Sequence, residues 1–441
     1  LSKNFKKKFL IKKNLKKKNI RLLKKKIVTF YDSPNYLKYL IYYQNIKVTN
    51  LQYRSLFFSF RLKRLYRHDF RYFNELKLEY PEKKKLILIV KFLINALNGF
   101  LKYHFFKFLS FNFVFFFIKK LKFLYFKKNS FIKNINCINP DLILMPTSGY
   151  DHDCLQILDA SKTLNIKNYL LIDNWDNLST KIIFDALPDQ IGVWGSQTKN
   201  HAKDIQKIKD KNITILGSAR AQNFFKQRNT LHNAPYKDYI LFLGSAWAWD
   251  EEKVISMINK NLEKNKIFNK NTKLIYRPHP YRQRKTVIQK NWNNVIIDKQ
   301  ISNLLLNSKN NRKWPDLKYY PSLLQNCRFI VGGLTSMLLE STIFWKNYLA
   351  VGFDDDQSLM NQKNALKYFL HLKGIDKLPN VTVCNDVKKF DQLFDNYLRN
   401  HYNKVPSQKI KSKIDAKREY FLKGSKKYFS QDLIDDINKL I

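Results

Sequence analysis

Three short segments in the second half of the sequence carry residue types that bind phosphate, and each directly follows an apolar run. They are Gly244-Ser245-Ala246-Trp247, Arg277-Pro278-His279-Pro280 and Gly332-Gly333-Leu334-Thr335-Ser336. In the third, a glycine pair lets backbone approach a ligand closely. Thr335 and Ser336 stand where a helix would begin, and backbone N–H groups there, helped by the helix dipole, favour a diphosphate. Glu340 follows Ser336 by one helical turn and could accept ribose hydroxyls; the plainer alternative is a solvated helix residue behind an N-cap. Arg277 and His279 offer donors for phosphate oxygens in a loop stiffened by two prolines. Ser245 belongs to the first of the three loops. The dinucleotide glycine fingerprint and the P-loop lysine are both absent.

The first half offers a different set. Thr147-Ser148-Gly149-Tyr150-Asp151-His152-Asp153 and Asp173-Asn174-Trp175-Asp176-Asn177 also follow apolar runs. They supply carboxylates and one imidazole, so Asp151, His152 and Asp176 are candidates for a general base that deprotonates an acceptor hydroxyl. The competing expectation is that Asp151 or Asp153 caps the next helix and Asp176 shapes a turn. Gly-x-Ser-x-Gly and His-Glu-x-x-His are absent, and no metal-ligand spacing is found, which argues against hydrolase triads and zinc chemistry.

Elements that could position these loops are readable from the apolar pattern. Strands are expected at 27–33, 47–53, 141–148, 168–177, 189–196 and 212–220, then at 238–247, 273–280, 294–298, 328–333, 348–353 and 381–384. Helices are expected between most of them, including 34–45, 250–265, 319–326 and 335–345. Alternating strands and helices with continuously apolar strands imply parallel sheet covered on both faces. Residues 221–237, polar and containing Pro235, read as a linker. The expected architecture is α/β, with two doubly wound, Rossmann-like domains and a cleft between them. The boundaries are a basic tail over 1–26, a first domain over 27–225 with a Phe- and Lys-rich helical insert at about 55–130, and a second domain over 236–441. In such sheets ligands bind beyond the carboxyl ends of the strands, where all the loops above lie.

Composition narrows the class. The chain has 441 residues with 81 Lys/Arg against 35 Asp/Glu, a formal charge of +46. Residues 1–135 hold 34 Lys/Arg and 5 Asp/Glu, and the first 26 residues hold 13 Lys/Arg and no acid. Such a run stays solvated unless an anionic partner neutralises it. A hydrophobic fraction of 44% excludes wholesale disorder, and 11 Gly with 12 Pro exclude collagen-like sequence. The four cysteines, Cys137, Cys154, Cys327 and Cys384, show no CxxC pair, so a disulfide framework is not expected. The Phe-rich stretch 86–126 has no uncharged run longer than 11 residues, Phe108–Ile118. A membrane span needs roughly 20. No secretory signal is expected either.

The loops taken in order resemble the GT-B superfamily of nucleotide-sugar glycosyltransferases, in particular its bacterial surface-polysaccharide and CDP-glycerol glycerophosphotransferase branch. A Gly-x-Pro-Arg-like segment reads here Gly217-Ser218-Ala219-Arg220. A strand ending in a Trp-containing loop runs from Ile240 to Trp249, and an Arg-x-His-Pro strand end is Arg277-Pro278-His279-Pro280. The last unit is Phe329 to Ser336, then Glu340, then Lys346-Asn347-Tyr348-Leu349. Gly-Gly-Leu-Thr-Ser with a following Glu looks more like transferases that bind a UDP-sugar, since the Asp-Tyr pair of the glycerophosphotransferases is absent. Trp175-Asp176-Asn177 resembles a segment in related bacterial sequences. The resemblance covers roughly residues 140–355.

The resemblance implies a UDP- or CDP-linked nucleotide-sugar donor bound by the second domain and a lipid-linked or glycan acceptor bound by the first. Arg277, His279, Thr335 and Ser336 would then contact phosphates and Glu340 would hold ribose. No metal or cofactor is implied, because helix dipoles and basic side chains neutralise the leaving diphosphate. The basic first third suggests a cytoplasmic protein peripheral at the inner membrane face, since Lys/Arg clusters attract anionic headgroups at about 1 kcal/mol per charge. A nucleic-acid-binding protein is the alternative of another class, because +46 would bind RNA or DNA with steep salt dependence. It leaves the strand-end loops unexplained and is not the favoured expectation. A sugar epimerase or phosphorylase on the same fold is a third reading.

Overall fold

A computed structural model describes residues 27–29, 46–48 and 130–440, except 148–151, 182–183, 185, 231, 246–248, 266–271, 280–291, 303–317, 354–361, 403–404 and 425–428. The basic tail, the expected helix at 34–45 and the Phe- and Lys-rich insert lie outside the described residues. Two compact units make up the chain, one running to Arg220 and resuming near the C-terminus, the other spanning Ala221–Gly424.

The first unit holds a parallel sheet of strands β1 (Ile27–Thr29), β2 (Ile46–Val48), β3 (Leu142–Thr147), β4 (Lys167–Ile172), β5 (Gln190–Val193) and β6 (Ile213–Ile215). Their order is β2-β1-β3-β4-β5-β6. Side chains alternate faces along each strand, and the alternation sorts the core. Ile143, Met145, Leu170, Ile172, Ile191 and Val193 pack on one face with helices α1 (Ser130–Ile138) and α2 (His152–Thr163). Leu142, Leu144, Tyr169 and Leu171 face the other way and meet Phe429, Leu433 and Ile437. Those three belong to the chain's last helix, Phe429–Leu440, which the sequence reading gave to the second domain and contact places in the first unit. Its Asp436 fixes it there: Tyr169 donates to Oδ2 at 2.5 Å, and Gln190 Nε2 reaches the same oxygen at 3.3 Å.

The second unit repeats the plan with β7 (Tyr239–Leu243), β8 (Lys273–Arg277), β9 (Val295–Ile297), β10 (Ile330–Gly332), β11 (Tyr348–Val351) and β12 (Val381–Cys384). The order β12-β11-β10-β7-β8-β9 is, counted from its own first strand, the 3-2-1-4-5-6 order of doubly wound sheets. Every residue of β7, β10 and β11 is buried, as parallel strands covered on both faces require. Ile240, Phe242, Leu274, Tyr276, Phe329 and Val331 build one core with residues of two helices, Glu251–Lys264 and Phe390–His401.

The expected linker over 221–237 is a helix in its first part, Ala219–Gln227. Its polar residues obscure one buried face: Phe224 is fully buried, with its ring centroid 6.2 Å from those of both Tyr320 and Phe344. Among the described residues no helix is long and apolar enough to cross a membrane.

Candidate functional site

In the second unit the strand order reverses between β7 and β10, which is where doubly wound sheets open a crevice at their carboxyl ends. Gly332, the last residue of β10, lies so close to β7 that a Cβ there would run into the Leu243 carbonyl. Gly333 follows and donates its N–H to that carbonyl at 3.2 Å, while Tyr348 donates to the Gly333 carbonyl at 2.7 Å. A Cβ on Gly333 would sit 3.0 Å from Ser245 Cβ, and one on Gly244 would sit 3.1 Å from both His279 N and Pro278 Cα. The three loops singled out in the sequence therefore adjoin; at Gly332 the backbone contact admits only glycine, and at Gly244 and Gly333 a side chain would have to push its neighbours aside.

Ser245 is the knot between them. Its N–H donates to Glu251 Oε1 at 3.0 Å, and its hydroxyl accepts from Trp249 Nε1 at 2.8 Å and Gln362 Nε2 at 3.2 Å. Glu251 Oε2 in turn accepts from the Tyr276 hydroxyl at 2.6 Å, and Gln362 Oε1 accepts from Leu334 N at 3.0 Å. Glu251 opens helix Glu251–Lys264, where Asp250 is the N-cap, and Gln362 opens helix Gln362–Tyr368. Neither was expected from the sequence, because each is one polar residue among several at a helix start, with no motif to single it out.

Arg277 stands apart from its expected role. It is 3% exposed, with one guanidinium nitrogen on Asp298 Oδ1 at 2.6 Å and the other on Gln300 Oε1 at 2.7 Å. Its guanidinium lies 4.4 Å from the ring centre of Tyr320. Burial alone would lower its pKa, but Tyr320 and Asp298 reverse that and hold it above the ordinary value. Such a fork braces the end of β8 rather than reaching out for a phosphate. His279, two residues on, is half-buried beside Gly244. Thr335 is the N-cap of helix Ser336–Ile343, in extended conformation with no side-chain cap bond, and Ser336 is its first residue. Glu340, at 4% exposed, is buried rather than solvated.

The first unit carries the acceptor-side candidates. Asp151 lies outside the described residues. His152 is the first residue of helix His152–Thr163. Asp176 is half-buried in the turn after β4, and its carbonyl accepts from Ser179 N at 3.3 Å and Ser179 Oγ at 3.2 Å. Trp175 beside it is 2% exposed. The turn continues as a wide helical turn, Asn177–Lys181, and a second one, His201–Ile205, follows β5. Wide turns of this kind are rare and recur at functional sites. Sequence reasoning passed over two neighbours. Trp194 is buried at the end of β5, donates to the Ile172 carbonyl at 3.0 Å and has the Arg220 guanidinium 5.5 Å from its ring centre. His201 is 9% exposed, its Nδ1 has no hydrogen-bond partner, and burial pulls its pKa down to about 4. Both are single residues outside any motif. Among the described residues no three of His, Cys, Asp and Glu group as metal ligands would.

Two doubly wound parallel units in one chain, the second with the 3-2-1-4-5-6 order, define a GT-B-like fold. Solved structures share it at low identity. S. aureus MnaA with UDP aligns with a TM-score of 0.50 at 10% identity, covering 95% of this chain and 98% of that one. UDP-GlcNAc 2-epimerase from Neisseria meningitidis bound to UDP-GlcNAc aligns with a TM-score of 0.50 at 11% identity, covering 94% and 100%. The wall teichoic acid polymerase TagF reaches 0.40 at 13% identity over 68% and 73%, too distant a likeness to carry weight. No family model matches the chain, and no curated protein sequence does.

Proposed function

We propose that the protein is a glycosyltransferase that moves a sugar from a nucleotide-activated donor to a lipid-linked or polysaccharide acceptor in bacterial surface carbohydrate synthesis. The observation that carries this reading is the junction of the Gly244, His279 and Gly333 loops at the point where the second sheet reverses its strand order. In this proposal His279 and the first-turn amides of helix Ser336–Ile343 receive the diphosphate, with Thr335 and Ser336 at its start. Ser245 fixes the loop spacing, Arg277 is a positioning residue through Asp298, and Glu340 takes the ribose hydroxyls. The acceptor is assigned to the first unit, where Asp151, His152 or Asp176 removes its proton. Anionic membrane would hold the enzyme through the basic first 26 residues.

Calorimetric titration of UDP and CDP into His279→Ala tests the donor assignment. Loss of a charge-assisted hydrogen bond should weaken binding by roughly 1.5–3 kcal/mol. Preference for CDP over UDP would favour the glycerophosphotransferase alternative. Unchanged affinity for both nucleotides removes His279 from the site.

A second reading is favoured by the likeness to UDP-GlcNAc 2-epimerase from Neisseria meningitidis over 94% of this chain and 100% of that one. An epimerase changes the nucleotide-sugar itself and needs no acceptor. Incubation with UDP-GlcNAc alone separates the two, because a new epimer without acceptor supports the epimerase and UDP release only with acceptor supports the transferase.

A further inference from the structure

Away from these loops, the second unit has a cavity of about 470 Å³ between the segment leading into β12 and the end of helix Gln408–Arg418. Because that segment precedes β12, the cavity lies on the amino-end side of the sheet, opposite the strand ends that carry the nucleotide loops. Its volume is in the range of small-molecule sites, roughly 300–1,000 Å³.

The lining divides into two kinds of surface. Lys373, Lys377 and Lys417 line it from two separate stretches of chain, all three exposed. No carboxylate is among the lining residues. Glu419, close to Lys417 in sequence, is turned away, accepting from Gly424 N at 2.8 Å and lying 3.7 Å from Arg418. Lys377 and Lys417 bring positive charge to the cavity from the two stretches, with Lys373 beside them, and an opposite charge placed among them is favoured. The other surface is apolar. Leu378 and Phe421 are buried, while Tyr420 is 43% exposed with its ring centroid 5.0 Å from that of Phe421. Gly374, at φ +85°, takes a left-handed turn, and a Cβ there would lie 3.7 Å from the Phe421 ring.

We infer that this cavity binds a phosphate-bearing ligand with an apolar body: the lysines take the phosphate, and Tyr420, Phe421 and Leu378 take the apolar part. Lysine ammoniums act as point charges toward phosphate oxygens, so no planar fork is required. The phosphate could come from a lipid headgroup or from a soluble organic phosphate.

The test is calorimetric titration of the full chain with dihexanoyl phosphatidic acid below its micelle concentration, and separately with glycerol 3-phosphate. Saturable one-to-one binding is expected. K373Q/K377Q/K417Q should weaken it at least tenfold. A416F, which fills the cavity and keeps every charge, should do the same. K203Q/K209Q/K211Q, which removes equal charge from the exposed surface of the first unit, should leave it unchanged. Equal binding of glycerol 3-phosphate assigns the site to soluble phosphates; binding of the lipid alone assigns it to headgroups. The proposal is overturned if neither probe saturates or if the control triple variant weakens binding as much as the cavity triple. Full affinity in a folded A416F also overturns it, and the lysine variant decides the matter if A416F does not fold.

Discussion

At the carboxyl ends of the second sheet, the polar groups of Ser245, Glu251 and Gln362 are engaged with one another and with Trp249 and Tyr276, and Arg277 is separately engaged with Asp298 and Gln300. Around the corresponding ends of the first sheet, Ser218 Oγ and His201 Nδ1 are buried with no hydrogen-bond partner. A satisfied network holds loops in one geometry, which suits a ligand met the same way every time. Buried polar atoms without partners cost stability, and they are what a site keeps when it is to receive something from outside. Thr335 Oγ1, after the end of β10, is the exception in the second sheet: it too is buried with no hydrogen-bond partner, beside a network that is otherwise closed.

The largest expected effect comes from the buried Arg277–Asp298 pair at the end of β8. Asp298→Ala leaves Arg277 as an uncompensated buried charge and should cost about 3–5 kcal/mol. Chemical denaturation of the second unit measures it, and a loss below about 1 kcal/mol would mean that Arg277 finds solvent and that this end is not rigid.

His201 probes the first unit by pH. Its folded pKa of about 4 lies below the ordinary value of 6.5, so the unfolded chain binds the proton more tightly. The stability it contributes is present above pH 6.5, falls as pH drops from 6.5 toward 4, and amounts to up to about 3 kcal/mol. Thermal melts of wild type and His201→Gln across that window should converge toward low pH. A constant difference would place a partner at the imidazole and remove half of the contrast.

Smaller again is Glu251→Gln, which presents an amide where two donors need acceptors. A loss of about 1–3 kcal/mol is expected, with weaker UDP binding. Lost stability with intact UDP affinity would separate the network from the site. Ser218→Ala should change stability by less than about 0.5 kcal/mol, since no bond is lost. If acceptor-dependent turnover falls in that variant while its melt does not move, the first-unit hydroxyl serves the acceptor.

Strand positions were legible because fully covered parallel strands are continuous apolar runs, as in Tyr239–Leu243 and Tyr348–Val351. Helix Ala219–Gln227 was not, since Arg220, Gln222, Asn223, Lys226 and Gln227 mask one buried face around Phe224. At the site, Gly244 and Gly332-Gly333 stood out in the sequence as glycines directly after apolar runs, and at Gly332 close approach to the Leu243 carbonyl demands glycine. Glu251 and Gln362 did not show, because their partners are brought to them only by the folded sheet. Arg277 was read toward a phosphate because Asp298, 21 residues on, gives no local sign of the pairing.

The helix Phe429–Leu440 has a consequence in time. It covers Leu142, Leu144, Tyr169 and Leu171, yet the ribosome delivers it after the whole of the second unit. At about 5–20 residues per second, that face of the first sheet waits for this helix for roughly 10 to 40 s of synthesis. The later unit can complete its core before the earlier one does. A nascent chain stalled near residue 424 would expose this apolar face to chaperones, and loss of the last helix would harm the half of the protein that was made first.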